Sequence, residues 1–290
     1  MANNNTYRKR RAKRPKRPSN SIIPKSLSTL LVIVLLGLGA VYALGRIDST
    51  ESNAESVDLG EELLNVALPE NTPETKKDYV GFTVSFNSEH HVPNYVAWEL
   101  TGTEAQGKGP RDSKFRADEE IAGCPTLEDY RNSGFDRGHM APAADMKWSK
   151  QAMLDSHYLT NMCPQDHSLN SGRWSTLEDK CRQWAIRDSA LVIIAGPVLS
   201  DIITRTIGSS HVSVPERFFK VILSPYSNPP RAIGFVMANA KISDGIESMA
   251  VSVDQVEEIT GYDFFTALPD EIEEQIESQA NYRDWNRRKR

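Results

Sequence analysis

An uncharged apolar segment at residues 27–45 limits how the rest of the chain can fold. Its nineteen residues include no Asp, Glu, Lys or Arg, and as an α-helix they would extend about 28 Å, close to the thickness of the hydrocarbon core of a bilayer. We expect a transmembrane signal anchor, because the run exceeds the usual apolar core of a signal peptide. Cleavage after a small residue such as Ala43 or Ala54 is the alternative. Either way, the folded domain must lie on the C-terminal side.

The residues before this segment predict its orientation. Residues 1–26 contain nine Lys and Arg and no acidic residue, and such a flank is retained in the cytoplasm. We therefore expect a basic cytoplasmic N-terminus and a membrane-anchored domain on the extracytoplasmic side. A secreted or periplasmic domain would result if the segment is cleaved.

The charge of the chain is unevenly distributed. The whole sequence has 34 Lys and Arg against 39 Asp and Glu, and nine of the basic residues precede residue 27, so residues 27–290 have a net charge of −14. A total of this sign does not favour nucleic acid as a partner. A charged fraction of 25% and only 3 Cys exclude a multi-span membrane protein and a dense disulfide scaffold.

The pattern of apolar residues predicts an α+β domain with a largely antiparallel β-sheet core at residues 79–265. Residues 46–78 are acidic and rich in Ser, Asn, Thr and Pro, as in a flexible linker. Residues 266–290 are expected to be a charged, helical C-terminal tail. Strands are predicted at residues 79–86, 95–100, 191–195, 218–223 and 232–237, and helices at residues 174–185, 253–259 and 271–276.

A polar stretch at residues 134–184 has the side chains that an active site needs. Asp136-Arg137-Gly138-His139 combines a fixed cation with an imidazole that accepts a proton near neutral pH. A base for the nucleophile and a cation for developing negative charge are what phosphodiester hydrolysis requires. The alternative is a local ion pair of Asp136 with Arg137 and a structural His139.

Asn170 and Glu178 are the candidate metal ligands of this stretch. They lie eight residues apart, about 80° around a helix and about 12 Å along it, so an ion bound directly to one would need a water to reach the other. Mg²⁺ tolerates this because it keeps several waters. The alternatives are a helix N-cap for Asn170 and a solvated Glu178 paired with Arg182.

Five sequence segments resemble the DNA/RNA non-specific endonucleases of the ββα-metal superfamily. They read, in order, GFDRGHMAPAADM, YLTNMCPQ, LNSGRW, LE and HVSVPERFFKV. The similarity extends from about residue 79 to residue 265. It implies a ββα-metal active-site motif and Mg²⁺-dependent hydrolysis of DNA and RNA that leaves 5′-phosphate products.

The resemblance also implies a role for individual residues. His139 matches the general base, and Asn170 matches the direct protein ligand of Mg²⁺, with Mn²⁺ or another divalent ion as an alternative. Glu178 matches the acid that holds metal-bound water, so it counts as both a catalytic and an indirect metal residue. Arg137 matches the arginine that supports the phosphate, and Asn161 matches an asparagine of the same site.

Two positions depart from the pattern of some relatives. His157 stands where these relatives have a further Asn, four residues before Asn161. They also use an upstream arginine to bind the substrate, for which Arg116 is our first candidate and Arg111 our second.

The cysteines allow two further interpretations. The first is a zinc site formed by His157, Cys163 and His167, but the spacing of these residues matches no standard zinc site. In an exported domain, one disulfide among Cys124, Cys163 and Cys181 with one thiol left over is the better expectation.

The expected partners are DNA and RNA, together with a membrane through the N-terminal segment. Oligomeric state is open, and a homodimer is one alternative. An alternative function is a membrane-anchored nucleic-acid-binding or uptake protein with little or no catalysis. Despite the acidic total, basic residues occur throughout the region around the motif: Lys108, Arg111, Lys114, Arg116, Arg131, Arg137, Lys147, Lys150 and Arg173.

Overall fold

The structure, a computed structural model, describes residues 68–69, 75–112, 114–200 and 204–286. The predicted basic N-terminus, the apolar segment at residues 27–45 and most of the predicted linker lie outside these ranges. Within the described ranges, no helix has both the length and the apolar character needed to cross a membrane.

A seven-stranded sheet forms the centre of the domain, with the strand order β1-β2-β3-β6-β9-β10-β11. All of its neighbouring strands are antiparallel, which confirms the predicted fold class. Its members are β1 (Lys76–Tyr79), β2 (Phe82–Asn87), β3 (Val92–Thr101), β6 (Ala190–Val198), β9 (Arg217–Ser224), β10 (Arg231–Ala238) and β11 (Ala250–Val251). Two small antiparallel pairs join β4 (Asp136–His139) to β5 (Met162–Gln165), and β7 (Thr206–Ile207) to β8 (Val212–Ser213).

Six α-helices are present in the described part of the chain. They are α1 (Leu127–Tyr130), α2 (Lys150–Asp155), α3 (Ser175–Asp188), α4 (Val253–Thr260), α5 (Asp270–Glu277) and α6 (Tyr282–Trp285). A π-helical turn at Leu169–Trp174 leads into α3. The predicted helices at residues 174–185, 253–259 and 271–276 correspond to α3, α4 and α5.

Helices and loops cover both faces of the sheet, as two adjacent residues of β9 show. The Phe218 ring lies 5.7 Å from that of Trp174, just before α3, whereas the Phe219 ring lies 6.1 Å from that of Tyr262, just after α4. Because successive side chains of a strand point to opposite faces, α3 and the segment after α4 lie on opposite sides of the sheet. The central strands are therefore mostly apolar on both faces, without alternation.

The apolar stripe that begins at Trp174 and continues along α3 packs as its sequence predicts. Its five members are all buried: Trp174, Leu177, Cys181, Trp184 and Ala185. Burial of this stripe fixes which side of the helix faces the sheet and which side is left for polar residues.

The strand predicted at residues 79–86 is instead a hairpin. β1 pairs with β2, with Tyr79 opposite Phe82, and the chain turns at Val80 and Gly81. Gly81 has a φ of +93°, a conformation that side chains with a Cβ rarely adopt. The alternation of residues continues through the turn, so the sequence pattern hid the reversal. The ordered part also begins with β1 at Lys76, inside the predicted linker.

The C-terminal segment is part of the fold as well as helical. Trp285 of α6 is only 2% exposed, and its ring lies 4.9 Å from that of Trp184 in α3. The guanidinium of Arg231 in β10 lies 4.7 Å from the centre of the same indole. The predicted end of the domain at residue 265 is therefore too early.

Candidate active site

The β4–β5 pair and α3 form a ββα unit at one face of the sheet. In the pair, Asp136 lies opposite Gln165, and His139 lies opposite Met162. Gly138 permits the two strands to approach, because a Cβ at this position would lie 2.3 Å from Oε1 of Gln165. The sequence of β4 thus places a carboxylate, a guanidinium and an imidazole on one short strand.

A cavity of about 620 Å³ opens above this unit. Its wall brings together five of the predicted site residues, along with Asp136 and Arg182, which had not been assigned to the site. The seven residues are Arg111, Asp136, Arg137, His139, Asn170, Glu178 and Arg182. The cavity is therefore the candidate active site.

His139 is held in a confined environment that keeps it neutral. Burial, helped by His157, Arg111 and Arg137, lowers the pKa of His139 to about 3. The His139 and His157 rings lie 5.1 Å apart at nearly a right angle, and the His139 carbonyl oxygen accepts a 3.1 Å hydrogen bond from Nε1 of Trp174. The imidazole is therefore uncharged throughout the neutral pH range.

Asn170 projects from the π-helical turn before α3, with its amide oriented by a neighbour. Nδ2 of Asn170 donates a 2.8 Å hydrogen bond to Oδ2 of Asp136. The same carboxylate oxygen lies 2.9 Å from Nδ1 of His167. No described residue donates a hydrogen bond to Oδ1 of Asn170, so this oxygen remains available as a ligand.

Glu178 lies one turn into α3 and shares the cavity with Arg182. Burial raises the pKa of Glu178 to about 7, against the opposing effect of the Lys220 charge. Nη1 of Arg182 donates a 2.7 Å hydrogen bond to the buried Asp145, and its Nη2 pairs with Asp179. Arg182 is thus anchored by two carboxylates and does not form the ion pair with Glu178 that the sequence spacing allowed.

Lys220 of β9 is a buried charge on the same side of the sheet. Its Nζ lies 4.9 Å from the centre of the Trp98 ring and 4.4 Å from that of Trp174, and it has no hydrogen-bond partner in the described part of the chain. Burial lowers the pKa of Lys220, while Glu178 is the strongest of the neighbours that raise it. Lys220 therefore supplies a positive potential that favours the ionised form of Glu178.

The arginines of the site differ in their surroundings. Arg137 lies over the Phe115 ring, 4.6 Å from its centre, and Arg111 is exposed at the cavity wall. Arg116, our first candidate for the upstream arginine, lies elsewhere. Its guanidinium donates to the Leu154 carbonyl at 2.5 Å and lies 4.3 Å from the centre of the Tyr158 ring. Of the two predicted arginines, Arg111 therefore lines the cavity and Arg116 does not, and the substrate-binding role of each stays a prediction.

Asn161 supports the site from beneath and does not line it. It is fully buried, and its Nδ2 donates 2.9 Å hydrogen bonds to the carbonyls of Ala141 and Ser156. Its Oδ1 accepts a 2.9 Å hydrogen bond from the Ala141 amide. These bonds engage both ends of the amide group and hold Asn161 next to the strand that carries His139. The predicted catalytic role of Asn161 stays a prediction.

The cysteines form neither of the arrangements considered from the sequence. Cys124, Cys163 and Cys181 are all free thiols, so the expected disulfide is absent. His157 is bound through Nδ1 to the Met153 carbonyl, at 2.9 Å, whereas the exposed His167 contacts Asp136. His157 and His167 therefore contact other groups and do not form a common metal site with Cys163.

Three residues of the site were not identified from the sequence. Arg182 was considered only as an ion-pair partner, although its spacing of four residues from Glu178 places both on one side of α3. Lys220 interrupts an otherwise apolar strand, which is a recognisable signal for a functional or paired lysine. The effect of Asp136 on Asn170 depends on a contact across 34 residues of sequence.

Comparison with known proteins shows to which family the chain is related. The sequence profile described as DNA/RNA non-specific endonuclease matches residues 59–271. The protein named "Nuclease EXOG, mitochondrial" from Danio rerio is 36% identical over 218 residues, which are 69% of this chain and 63% of the relative. This chain thus covers less than two thirds of that relative. Nuclease C1 from Cunninghamella echinulata var. echinulata is 34% identical over 216 residues, 68% of this chain and 86% of the relative.

A solved structure supports the same relationship. The structure titled "Crystal structure of the EndoG/EndoGI complex: Mechanism of EndoG inhibition" superposes with a TM-score of 0.68 at 26% identity, covering 75% of this chain and 95% of that chain. The profile match, the sequence similarity and the shared fold lead to one conclusion. This chain belongs to the DNA/RNA non-specific endonuclease family.

Proposed function

We propose that this protein is a divalent-metal-dependent endonuclease that hydrolyses phosphodiester bonds of both DNA and RNA and leaves 5′-phosphate ends. The observation that carries the proposal is the joint presence, in one cavity, of a neutral imidazole, an unoccupied amide oxygen and three guanidinium groups. They belong to His139, Asn170, Arg111, Arg137 and Arg182.

The residues of the cavity fit a hard divalent cation. Asn170 offers Oδ1 because its Nδ2 is bound to Asp136, and Glu178 offers a carboxylate whose ionised form a cation would favour. Mg²⁺ binds oxygen ligands and keeps several waters, so one direct ligand and one water-mediated ligand suffice. We propose Asn170 as the direct ligand and Glu178 as the indirect one, with Mn²⁺ or another divalent ion as an alternative. When bound, the ion would supply Lewis-acid stabilisation of the phosphate and the leaving group.

His139 is the proposed general base. Its low pKa keeps it neutral, so it can take a proton from the attacking water. The Trp174 hydrogen bond to its carbonyl oxygen and the contacts with the Phe115 and His157 rings restrict its position. Neither the base nor its support requires a particular nucleobase, in agreement with a non-specific nuclease.

The arginines are proposed to bind and stabilise the phosphate. Arg137 lies two residues from His139 on the same strand, and Arg182 is fixed by Asp145 and Asp179. Fixed guanidinium groups stabilise negative charge that develops in the transition state without having to reorganise. Arg111, exposed at the rim, is proposed to contact the nucleic-acid backbone.

The metal requirement and the reaction class are tested together with the purified full chain. We expect plasmid DNA and ribosomal RNA to be cut internally with Mg²⁺, digestion to stop in EDTA, and excess Mg²⁺ to restore it. The fragments should be substrates for DNA ligase without prior phosphorylation, since their 5′ ends carry phosphate. Binding without cleavage would instead support the nucleic-acid-binding alternative, and digestion that persists in EDTA would contradict the metal requirement.

We also propose that residues 27–45 anchor the enzyme in a membrane with the nuclease domain outside the cytoplasm. The proposal is supported by the uncharged length of this segment and its basic N-terminal flank. Carbonate extraction of membranes followed by N-terminal sequencing separates a retained anchor from a cleaved signal peptide. For the oligomeric state, which the sequence leaves open, a homodimer is one alternative that light scattering of the purified chain would test.

A further inference from the structure

Two arginines next to the catalytic cavity are stacked on phenylalanine rings. The guanidinium of Arg137 lies 4.6 Å from the centre of the Phe115 ring, and that of Arg205 lies 4.5 Å from the centre of the Phe135 ring. Both phenylalanines and Arg137 line the cavity, whereas Arg205 is not part of its wall. Arg205 therefore lies directly outside the cavity, against the part of the wall that Phe135 forms.

The β7–β8 hairpin fixes the backbone of Arg205. The residue immediately precedes β7, and its carbonyl oxygen accepts a 2.9 Å hydrogen bond from the amide of Val214, just after β8. In the hairpin turn, Gly208 packs so closely on Asp129 of α1 that a Cβ at this position would lie 2.4 Å from the Asp129 side chain. The next residue of α1, Tyr130, lines the cavity. The hairpin is thus held against the same helix that borders the cavity.

The guanidinium of Arg205 is available to a ligand. Arg205 is exposed, and within the described ranges its side chain has no hydrogen bond and no ion pair. Arg131, which lines the cavity, instead forms an ion pair with Glu128 at 2.9 Å. Stacking on Phe135 engages only the face of the Arg205 guanidinium, so the N–H donors around its edge remain free to bind oxygen atoms.

The Phe135 ring also orders this guanidinium before a ligand arrives. An arginine side chain carries about 2 kcal/mol of rotamer entropy, and an exposed cation–π contact contributes about 0.5–1 kcal/mol towards holding it in place. Arg205 is therefore better prepared to bind an anion than an exposed arginine without such support.

The spacing along β4 separates Arg205 from the reacting centre. Phe135 directly precedes β4 and lies four residues from His139, which corresponds to about 13 Å between the two Cα atoms in an extended chain. Arg137 is only two residues from His139 and is the arginine of this strand placed for the scissile phosphate. Each nucleic-acid strand carries a charge about every 3.4 Å of helix axis. A cation next to Phe135 is therefore placed for a phosphate further along the substrate.

We propose that Arg205, held by Phe135, binds a backbone phosphate of the nucleic acid beyond the scissile one. The contact rests on the nuclease function proposed above and deepens it. Because it is made to phosphate and not to a base, it accepts DNA and RNA alike. It favours substrates that extend past the cleaved bond over substrates that end there.

Binding measured without cleavage tests the contact. In the His139→Asn background, fluorescence anisotropy gives the affinity for a labelled DNA duplex over a series of salt concentrations. Adding Arg205→Ala should weaken binding about 3- to 5-fold in low salt. It should also lower the slope of log affinity against log salt by about 1, as expected for one lost phosphate contact.

Two further variants define the origin of this effect. Arg205→Lys keeps the charge but loses the planar stack on Phe135, and should give a smaller loss of affinity with the slope retained. Arg283→Ala removes an equal charge at an exposed position of α6, and as the matched control it should bind like the parent protein. Arg205→Gln provides the same test if Arg205→Ala does not fold.

Substrate length separates this contact from the catalytic centre. In the active full chain, Arg205→Ala should lower kcat/KM for plasmid DNA about 3- to 5-fold and leave kcat close to that of the wild type, because the lost interaction is equal in the ground and transition states. Thymidine 5′-(p-nitrophenyl phosphate) has a single phosphodiester and cannot reach Arg205 from the catalytic centre. Its kcat/KM should not change.

The possible results are distinct. An unchanged affinity and salt slope for Arg205→Ala would overturn the proposal, and so would a weaker affinity with an unchanged slope, because the contact would then not be to phosphate. An equal loss of kcat/KM on the single-phosphodiester substrate would place Arg205 in the catalytic centre and also overturn it. If the wild-type chain cleaves neither substrate, the proposed nuclease function fails, and the binding measurement alone decides on Arg205.

Discussion

Nδ2 of Asn170 donates a 2.8 Å hydrogen bond to Oδ2 of Asp136, and this bond determines which end of the amide faces the cavity. An asparagine amide has one oxygen and one nitrogen, so engaging the nitrogen leaves the oxygen as the available ligand. Asp136 would therefore orient Asn170 for the proposed cation without contacting the cation itself. Partners of this kind commonly contribute as much to a metal site as its ligands do.

Asp136→Ala should weaken the response to metal. We expect the Mg²⁺ concentration for half-maximal activity to rise by about 10- to 100-fold, because the Asn170 amide loses the partner that orients it. Asp136→Asn retains an acceptor oxygen and should show a smaller rise, while Asp244→Ala, at an exposed position, should show none. An unaltered Mg²⁺ titration for Asp136→Ala would remove the orienting role.

The acid limb of the pH profile should follow Glu178 and not His139. The pKa of His139 is lowered to about 3, so its imidazole is already neutral at every pH well above that value. The pKa of Glu178 is raised to about 7, so protonation of its carboxylate should reduce kcat/KM as the pH falls through 7. Added Mg²⁺ favours the carboxylate and should move the limb to lower pH. An acid limb that does not shift with the Mg²⁺ concentration would contradict the assignment to Glu178.

A substitution of Lys220 provides a second test of the acid limb of the pH profile. Lys220→Met removes the positive charge that favours ionised Glu178, and should move the limb to higher pH by on the order of one unit. Lys241→Met, at an exposed position, is the matched control and should leave the profile in place. If both variants keep the wild-type limb, Lys220 has no electrostatic effect on the site.

Substitutions of Arg111 and Arg116 should have different effects, the first on substrate binding and the second on the stability of the fold. Arg111→Ala should raise KM for DNA and reduce the slope of log affinity against log salt by about 1, as expected for one lost phosphate contact. Arg116→Ala should keep the salt slope and instead lower the free energy of unfolding by about 1 kcal/mol, because Arg116 donates to the Leu154 carbonyl. Salt-dependent binding and urea unfolding of both variants check this, and a reduced slope only in Arg116→Ala would reverse the assignment.

Trp285 should be required for a stable domain. Trp285→Ala removes a side chain buried against Trp184 and Arg231, and should lower the free energy of unfolding by about 3–5 kcal/mol. Trp148→Ala, at a 42% exposed position, should cost less than about 1 kcal/mol. A chain ending at residue 265 should fail to give a cooperative unfolding transition, and normal unfolding of that chain would show that α5 and α6 are dispensable.

The central strands and α3 were predictable because local periodicity and burial agree in them. The run at residues 191–195 has apolar residues on both faces and forms β6 in the sheet centre, and the spacing from Trp174 to Ala185 matches one face of a helix. The hairpin at Gly81 was not predictable from alternation, since the turn preserves it. The role of Trp285 was hidden because its burial depends on Trp184, about 100 residues away in sequence.

The site residues also divide into those that the sequence could predict and those that depend on tertiary structure. His139, Asn170 and Glu178 lie in segments whose order resembles the family, and the structure brings all three to one cavity. Arg111 and Arg116 have no distinguishing pattern, so only the location of each guanidinium decides between them. The bonds of Asn161 to Ala141 and Ser156 likewise depend on tertiary structure, so the sequence could not show that Asn161 lies outside the cavity wall.

The central claim is that His139 is the base of a metal-dependent nuclease, and the most direct measurement is the plasmid cleavage rate of two matched variants in saturating Mg²⁺. His139→Asn should lose at least about 100-fold in rate while it keeps the wild-type unfolding transition and DNA affinity. His211→Asn, on an exposed turn where φ is +56°, should cleave at the wild-type rate, since Asn tolerates that backbone conformation. Cleavage by His139→Asn at a rate close to that of His211→Asn would contradict the account.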